Sequence, residues 1–316
     1  MTLALVTGGA GFIGSHLVEG LLARGYSVRV LDNFATGRRE NLAKVLSDVE
    51  LIEGDVRNLT TVHTASRKVD VIFHEAALPS VERSVKDPLT TNEVNIRGTL
   101  NVLLAAREAG TRRVVNAASS SAYGNTPTLP KVETMTPEPL SPYAITKLTG
   151  EQYMRVFTEL YGLSTVSLRY FNIFGPRQDP TTQYAGVIAK FVTCAIERRP
   201  FTVFGNGEQS RDFTYVDNVV HANILAAEAD LAPAGGRPAS PLLNIGYGGR
   251  TTLNQLIDML NELTGQNLPA DYGPERAGDV RDSQASIELA KEVLGYRPTV
   301  DVLEGLRRTV EWYRTQ

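Results

Sequence analysis

Tyr143 and Lys147 are separated by three residues, so on a helix their side chains would share one face. A free tyrosine has a pKa near ~10 and is a poor base at neutral pH. A neighbouring ammonium stabilises the phenolate and lowers that pKa, so the phenolate can take a proton from a hydroxyl group. The spacing alone is common by chance on helix surfaces. Beside a hydride acceptor, it predicts redox chemistry at a carbon–oxygen bond.

A glycine-rich string offers a site for such an acceptor. Gly8, Gly11 and Gly14 follow a short apolar run and lead into a stretch with helical periodicity. Glycine permits a tight turn and a close approach of the backbone to a pyrophosphate, and the free N–H groups of a helix start favour phosphate. The spacing is G-x-x-G-x-x-G rather than G-x-G-x-x-G, and an ordinary strand–helix turn is the alternative. With strand, helix and a later acidic residue all present, the string predicts a dinucleotide site.

That acidic residue is Asp32, which closes the second predicted strand. Its carboxylate can accept hydrogen bonds from both hydroxyls of an adenosine ribose and would repel a 2′-phosphate, which favours NAD over NADP. Arg38 and Arg39 lie close to Asp32 in sequence and could bind a 2′-phosphate, so NADP stays an alternative cofactor. Asp55 and Val56 follow the third predicted strand, where they could meet the adenine edge. The alternative for Asp55 is the N-cap of the next helix.

Three serines, Ser119, Ser120 and Ser121, follow the fifth predicted strand. A serine at the carboxyl edge of a sheet can hydrogen-bond a reacting oxygen and relay its proton to a tyrosine. Serines are also common in turns, so a turn of small residues is the alternative. The Tyr143–Lys147 pair favours a catalytic role for Ser119 and leaves Ser120 and Ser121 open.

A parallel sheet would bring these side chains to one edge. Ser141 and Pro142 mark a helix start, which places Tyr143 in the first turn. The apolar patterns predict an α/β fold: a Rossmann-like doubly wound parallel sheet with a smaller, discontinuous substrate-binding lobe. The predicted strands are 3–7, 27–31, 49–53, 70–74, 112–116 and 163–169, and the predicted helices are 12–24, about 91–109 and about 143–161.

The composition of the sequence changes near residue 172, where Pro and Gly become frequent and the predicted elements become shorter. Residues 242–246 could form one more strand that returns to the first sheet. We therefore predict a dinucleotide-binding domain over 1–171 with a returning segment at about 212–246. The substrate-binding lobe would then comprise 172–211 and 247–316.

Bulk properties exclude several classes. The 316 residues carry a net charge of −3, which argues against a broad nucleic-acid footprint. No apolar run is long enough to span a bilayer, and no signal peptide is expected. Cys194 is the only cysteine and suits a small buried position, so we expect a reducing, cytoplasmic compartment. The four histidines have no metal-ligand spacing, and no metal is expected.

Taken together, the glycine loop, the 119–124 segment, the Tyr143–Lys147 pair and the 168–172 segment resemble the extended short-chain dehydrogenases/reductases. Within them the chain resembles the nucleotide-sugar 4-epimerases over nearly its whole length. The resemblance implies NAD as cofactor and Ser119, Tyr143 and Lys147 as catalytic residues. It adds Asn95 as a support of the cofactor pocket and Ala76 in a nicotinamide-side loop. The residues expected to bind the cofactor are Gly8, Gly11, Phe12, Ile13, Gly14, Asp32, Asn33, Asp55, Val56, Ala76, Asn95, Tyr143 and Lys147.

The resemblance also implies a substrate site for a UDP-sugar. Arg211 would hold the pyrophosphate, for which a guanidinium is suited by its paired N–H donors, and a local pair with Asp212 is the alternative. Asn172 would contact the pyrophosphate or the sugar, and Arg276 and Asp279 resemble a second set for phosphate and ribose. The residues expected to bind the substrate are Ser120, Ser121, Asn172, Arg211, Arg276, Asp279 and Ser283.

Two departures within the family narrow the expected reaction. Ser120 and Ser121 stand where the 4,6-dehydratases carry an Asp-Glu pair, and the UDP-glucuronate decarboxylases also place an acid in this segment, so both reactions are disfavoured. Ser283 aligns with a size-determining position where a small residue leaves room for a 2-acetamido group. The resemblance thus implies C4 inversion of UDP-Glc/UDP-Gal together with UDP-GlcNAc/UDP-GalNAc.

Other readings stay open at this point. A UDP-glucuronate 4-epimerase would use the same machinery, with Arg177 or Arg281 facing the extra carboxylate. A non-catalytic NAD-binding sensor on the same fold is the rival from another class. The resemblance also implies a homodimer built from the helices at about 91–109 and 143–161.

Overall fold

The computed structural model describes residues 2–180, 186–231, 239–275 and 281–316. Short apolar runs form its strands, and longer stretches of helical periodicity form its helices. The strands are β1 (Leu3–Thr7), β2 (Ser27–Asp32), β3 (Val49–Glu53), β4 (Val71–His74), β5 (Arg113–Ser119), β6 (Ser164–Tyr170), β7 (Ile173–Phe174), β8 (Phe201–Phe204), β9 (Ser210–Arg211), β10 (Thr214–Tyr215), β11 (Leu242–Ile245), β12 (Thr251–Thr252) and β13 (Ala270–Gly273). The helices are α1 (Phe12–Ala23), α2 (Leu59–Ser66), α3 (Val81–Lys86), α4 (Pro88–Asn92), α5 (Gly98–Ala109), α6 (Pro142–Tyr161), α7 (Val187–Ile196), α8 (Val216–Glu228), α9 (Leu253–Thr264), α10 (Glu288–Leu294) and α11 (Val302–Tyr313).

Seven of the described strands form one sheet in the order β3-β2-β1-β4-β5-β6-β11, and every neighbouring pair is parallel. The chain leaves β3 on one side of β1 and resumes on the other side at β4, so the winding reverses between these two strands. A crevice forms outside the carboxyl ends of the strands at such a reversal. The predicted doubly wound α/β fold is confirmed, and the predicted strand at 242–246 does return to this sheet, beside β6.

Helices cover both faces of the sheet. One apolar core lies between the sheet and α1, α8 and α10, and a second lies between the sheet and α2, α5 and α6. A third core joins α7, α9 and α11 to β8. Residues between Ala285 and Tyr296 pack into the first core. They come from the segment predicted to belong to the lobe, and the division into domains stays a prediction.

The helix that carries the candidate base begins as its sequence predicts. Ser141 is the N-cap of α6, and its side chain accepts a hydrogen bond from the Ala144 amide over 3.2 Å. Pro142 occupies the first helical turn, where its missing N–H costs nothing. Gly162 ends the helix with φ 71°, a left-handed conformation that glycine adopts without strain. Tyr143 therefore lies in the first turn of α6, as predicted.

Two elements differ from the predictions. The helix expected over about 91–109 is divided into α4 and α5 by a wide turn over Glu93–Arg97. Apolar spacing does not encode such a turn, in which Asn95 binds the main chain of Leu78. Strand β5 continues to Ser119, because the buried Ala117 and Ala118 keep pairing with β6. No helix in the described ranges combines the length and apolarity that crossing a membrane requires.

Candidate active site

Polar and charged side chains that could take part in a reaction lie at the carboxyl ends of the central strands. Asp32 is the last residue of β2, Ser119 is the last residue of β5, and Glu75 directly follows β4. Tyr143 and Lys147 reach the same edge from α6, which packs against β5 and β6. The parallel topology thus gathers residues that lie more than a hundred positions apart in the chain, since Asp32 and Lys147 are separated by 115.

The side chain of Ser119 lies close enough to that of Tyr143 for a hydrogen bond to lower the pKa of the phenol. Its Oγ also accepts hydrogen bonds from the Ser121 amide at 3.2 Å and from the Ser121 hydroxyl at 2.9 Å. With both acceptor positions of Ser119 Oγ filled in this way, its own hydrogen is left to point at Tyr143. Ser119 is therefore arranged to donate to the phenol oxygen, which stabilises a phenolate more than a phenol.

The surrounding protein alone raises the pKa of Tyr143 above its usual value. Burial is the main cause, and the negative charge of Glu75 adds to it, while the hydrogen bond from Ser119 lowers the pKa. The sequence predicted a lowering by the ammonium together with an oxidised nicotinamide. The surrounding protein does not produce this lowering on its own, because the cost of ionising a buried phenol exceeds the gain from Ser119.

Lys147 lies one helical turn after Tyr143 and points into the sheet edge. Its Nζ donates to the carbonyl oxygen of Ala117 over 2.7 Å. Burial lowers the pKa of Lys147 to about 8, although the carboxylates of Glu75 and Glu151 oppose that shift. An ammonium with one fixed carbonyl partner still has hydrogens to donate into the crevice.

The loop between β1 and α1 forms a cradle of main chain. Gly8 has φ 73°, and a Cβ added there would lie 2.7 Å from the Ala76 amide nitrogen. A Cβ on Gly14 would lie 2.1 Å from the Gly8 carbonyl oxygen. Only glycine permits these two approaches. At Gly11, the N-cap of α1, the closest atom to an added Cβ is Gly8 O at 3.1 Å.

The start of α1 fits a dinucleotide. The amides of Phe12, Ile13 and Gly14 occupy the first turn, where N–H groups have no carbonyl partner within the helix. These free donors, together with the positive end of the helix, suit a pyrophosphate. The residues present therefore match the demands of the cofactor that the glycine pattern predicts.

Asp32 stands beside this cradle, as predicted for a ribose-binding carboxylate. It is buried and accepts hydrogen bonds from the amides of Ala10 at 2.9 Å and Phe34 at 2.8 Å. Burial raises the pKa of Asp32, and these amides oppose the shift. The two arginines that kept NADP open are both paired with carboxylates: Arg38 with Asp179 and Arg39 with Glu53.

The residues expected at the adenine end also lie together. Asn33 donates from Nδ2 to Asp55 over 2.8 Å. Asp55 forms an ion pair with Arg57 that lowers the pKa of Asp55 to about 2. The cap of α2 is Asn58, whose side chain accepts from the Thr61 amide, so the alternative role of Asp55 as helix cap is wrong. Asp55 lies in a turn before α2, in which the Asn58 amide donates to the Asp55 carbonyl, and Asn58 is the residue directly before the helix.

Asn95 and Val56, which are both predicted to bind the cofactor, are held in place by hydrogen bonds. The side chain of Asn95 accepts from the Leu78 amide at 2.8 Å and donates to Thr146 Oγ at 3.0 Å. It thereby fastens the loop that contains Ala76 to α6, next to Lys147. Val56 is buried, and its carbonyl oxygen accepts from Asn101.

Three of the residues predicted to bind the substrate lie close together after the end of β6. Asn172, with φ 38°, donates from Nδ2 to the hydroxyl of Ser283 over 3.0 Å, so two predicted substrate residues are in contact. Arg211 lies near this pair and donates to the carbonyl of Arg281 over 2.7 Å. Together with apolar side chains, Asn172 and Arg211 line an open cavity of about 280 Å³ whose walls include Phe174, Phe204, Phe213 and Leu253.

Other predicted substrate residues have different placements. The carboxylate of Asp212, which was the alternative partner of Arg211, accepts hydrogen bonds from the amides of Tyr247, Gly248 and Ala285. Ser121 contacts Ser119, and Ser120 lies half-buried between them in the chain. Arg276 and Asp279 lie outside the described residues.

Sequence reasoning missed Glu75 as a residue of the site. It lies in the loop after β4, half-buried, and accepts a hydrogen bond from Tyr170. The signal was available, because a glutamate directly after the buried strand β4 lies at the carboxyl edge of the sheet. Its partner Tyr170 closes β6 and could not be paired with it from sequence spacing.

Comparisons with known proteins agree with this geometry. The model of the NAD dependent epimerase/dehydratase family matches residues 4–246. A UDP-glucose 4-epimerase of Mycolicibacterium smegmatis is 41% identical over 99% of this chain and 98% of its own length.

Solved structures give the same result. The UDP-glucose 4-epimerase of Thermus thermophilus, in complex with NAD, is 39% identical, with 99% of each chain covered and a TM-score of 0.89. The UDP-N-acetylglucosamine 4-epimerase of Methanobrevibacter ruminantium, in complex with UDP-N-acetylmuramic acid, is 36% identical. It covers 100% of this chain and 99% of its own, with a TM-score of 0.94.

Proposed function

The chain belongs to the NAD dependent epimerase/dehydratase family, and we propose that within it the chain inverts C4 of a UDP-hexose through a transient 4-keto sugar. One observation carries the proposal: Ser119, Tyr143 and Lys147 meet at the carboxyl end of β5, beside the glycine cradle. Such a group can remove a hydroxyl proton next to a hydride acceptor. Bound NAD supplies that acceptor and returns the hydride.

Tyr143 takes the C4 hydroxyl proton as a phenolate and later returns it to the C4 oxygen, once the 4-keto sugar has turned its other face to the cofactor site. Ser119 donates to the phenolate oxygen and so stabilises it. Lys147 holds its ammonium at the same edge through Ala117. Because burial raises the pKa of Tyr143, the hydrogen bond from Ser119 alone does not make the phenol acidic, and an oxidised nicotinamide held beside it would add a positive charge that stabilises the phenolate.

Inversion needs a substrate held firmly at one end and loosely at the other, since one sugar pose cannot offer both faces to the cofactor. We assign the firm end to Arg211 and the cavity beside it, where a guanidinium can hold the pyrophosphate. The sugar would lie between Tyr143 and the Asn172–Ser283 pair. The small side chain of Ser283 supports activity on UDP-GlcNAc and UDP-GalNAc as well as on UDP-Glc and UDP-Gal.

The test is incubation of the purified protein with UDP-Glc, UDP-GlcNAc and UDP-glucuronate, followed by chromatographic separation of the epimers. We expect interconversion of the first two with their C4 epimers. The side chain of Arg177, one of two arginines considered for a C6 carboxylate, forms an ion pair with Glu19 of α1, which disfavours UDP-glucuronate. Turnover of UDP-glucuronate alone would replace the proposed substrate.

The matched variant is Tyr143→Phe, which keeps the ring and removes the acid–base oxygen. It should lose nearly all turnover and still bind nucleotide. Full activity in this variant would refute the assignment of the base. Bound nucleotide with no turnover by the native protein on any UDP-sugar would support a non-catalytic sensor.

We further propose a homodimer in the cytoplasm. Apolar side chains are exposed together on α3, α4 and α6: Val81, Val85, Leu89 and Ile145. An exposed apolar face on neighbouring helices fits a second copy of the chain, because a two-fold axis makes one patch self-complementary.

The single cysteine, Cys194, fits a reducing compartment.

A further inference from the structure

Glu75 is a carboxylate in the crevice that the proposed proton transfer does not use. It directly follows β4, and its amide donates to the Thr7 carbonyl over 3.1 Å, so it lies between the glycine cradle and the end of β5. The side chain is half-buried. A carboxylate withdrawn from water in this way is retained only where other groups compensate its charge.

A chain of hydrogen bonds favours the ionised form of Glu75 and offsets part of the cost of its burial. Asn223 on α8 donates from Nδ2 to the Val219 carbonyl at 2.9 Å and to the Tyr170 hydroxyl oxygen at 2.7 Å. The Val219 carbonyl can only accept, which fixes the orientation of the amide. The Tyr170 hydroxyl is therefore free to donate to Glu75 Oε1, over 2.8 Å. A donor aimed at a carboxyl oxygen favours the carboxylate over the acid.

Lys147 lies beside Glu75, because its Nζ donates to the Ala117 carbonyl and the preceding residue of β5, Asn116, pairs with His74 of β4. Burial raises the pKa of Glu75 to about 7, while Tyr170 and the positive charge of Lys147 oppose the shift. In return, the carboxylate raises the pKa of Lys147 and that of Tyr143. His74, the neighbour in sequence, is turned to the other face of the sheet, where Thr7 and Thr99 bind its ring.

We propose that Glu75 is a positioning residue whose carboxylate is the counter-ion of Lys147 and of the nicotinamide of bound NAD, and that it thereby sets the reduction potential of the cofactor. The proposal rests on the redox step of the proposed function. A nearby negative charge stabilises the positively charged oxidised nicotinamide and not the neutral reduced form. Without Glu75, the positive charges of Lys147 and of an oxidised nicotinamide would lie in one crevice of low dielectric constant with no carboxylate to offset them.

The direct test is the reduction potential of the cofactor in the holoenzyme, measured without sugar by equilibration with a redox dye of known potential. Glu75→Gln removes the charge and keeps an oxygen that accepts from Tyr170. We expect the ratio of bound NADH to bound NAD⁺ to rise about tenfold at a given dye potential, a shift of about 30 mV for two electrons. The control is Glu133→Gln, because Glu133 is also half-buried with a raised pKa and accepts from the Asn244 amide.

A second variant keeps the proposal testable if Glu75→Gln does not fold. Tyr170→Phe removes the donor to Glu75, so the carboxyl becomes protonated at neutral pH and the ratio should shift in the same direction. The pH profile of turnover gives an independent readout: both limbs should move to lower pH in Glu75→Gln, since loss of the carboxylate lowers the pKa of Tyr143 and of Lys147.

The proposal is overturned if the ratio in both Glu75→Gln and Tyr170→Phe stays within twofold of the Glu133→Gln control. The dye equilibrium does not involve a sugar. It therefore reports on Glu75 even if the native enzyme turns over none of the UDP-hexoses, an outcome that would defeat the proposed function alone.

Discussion

Asn172 donates a hydrogen bond from its side-chain nitrogen to the hydroxyl of Ser283 over 3.0 Å. The first residue follows β6 and the second precedes α10, so the contact joins the end of the sheet to the wall of the substrate lobe. Ser283 is also held through its main chain, because its amide donates to the Ser210 carbonyl over 3.1 Å. The wall of the proposed sugar site is thus fixed in position by its backbone, and its size is set by one small side chain.

This arrangement predicts that Ser283→Tyr discriminates between substrates. A phenol ring at this fixed position would fill the space that a 2-acetamido group needs, and overpacking there cannot be relieved by moving the backbone. We expect turnover of UDP-GlcNAc to fall at least about 100-fold while turnover of UDP-Glc stays within about fivefold. The measurement is kcat/KM for both sugars.

The matched control for the sugar site is Ser283→Ala, which removes the bond to Asn172 but keeps the space. Its ratio of the two activities should equal that of the native enzyme. A Ser283→Tyr variant that still turns over both sugars at the native ratio would exclude Ser283 as the size-determining residue.

Replacement of Ser119 tests the hydrogen bond to the base. Ser119→Ala removes the donor to Tyr143, which raises the pKa of the phenol further and leaves less phenolate at neutral pH. We expect turnover to fall about 100-fold, in the range typical of acid–base groups, and the rising limb of the pH profile to move to higher pH. Ser119→Thr keeps the hydroxyl and should retain most of the activity. A rising limb that does not move in Ser119→Ala would contradict the role given to this serine.

His74 predicts a specific loss of stability in acid. Its Nε2 meets Thr99, whose hydroxyl donates to the Asn95 carbonyl, so the ring is the neutral tautomer with hydrogen on Nε2. Burial lowers the pKa of His74 to about 3. The unfolded state therefore binds a proton that the folded state refuses, and stability falls as the pH drops from about 6.5 towards 3.

The measurement is the free energy of unfolding from urea titrations at pH 7 and pH 4. The native protein should lose about 3 kcal/mol more than His74→Leu over this interval, because the variant has no imidazole to protonate. Equal losses in the two proteins would show that His74 takes up its proton in the folded state.

The exposed apolar face of α3, α4 and α6 predicts a dimer that one charge can disrupt. Leu89 has 79% of its surface exposed, and in the proposed dimer this surface is covered. Leu89→Asp would bury an unpaired carboxylate there and should weaken association at least about 100-fold. The control is Leu46→Asp, on an exposed leucine outside this face. Light scattering after gel filtration should give two chains for the native protein and the control and one for Leu89→Asp; a native monomer would contradict the dimer.

Local sequence signals were sufficient for the scaffold of the site. Ser141 and Pro142 placed Tyr143 in the first turn of α6, and the glycine spacing located the cradle, since both depend on residues that are neighbours in the chain. The alternation of apolar runs and helices was sufficient for the parallel sheet, whose carboxyl edge then collects the polar side chains.

The electrostatics of the site could not be read in the same way. Glu75 follows β4, Tyr170 closes β6 and Asn223 lies on α8, and only the folded sheet brings them together. The pKa of Tyr143 likewise depends on how deeply the crevice buries it, which no spacing rule reports. The wide turn around Asn95 escaped detection because its cause is a contact with Leu78, 17 residues earlier.

The fate of the hydrogen on C4 tests the central claim most directly. UDP-glucose with deuterium at C4 is incubated with the enzyme until both epimers are present, and the label at C4 of the product is measured by mass spectrometry and NMR. If Tyr143 removes only the hydroxyl proton while bound NAD carries the C4 hydrogen, the product keeps its deuterium in ordinary water. Loss of the label to solvent would contradict the account.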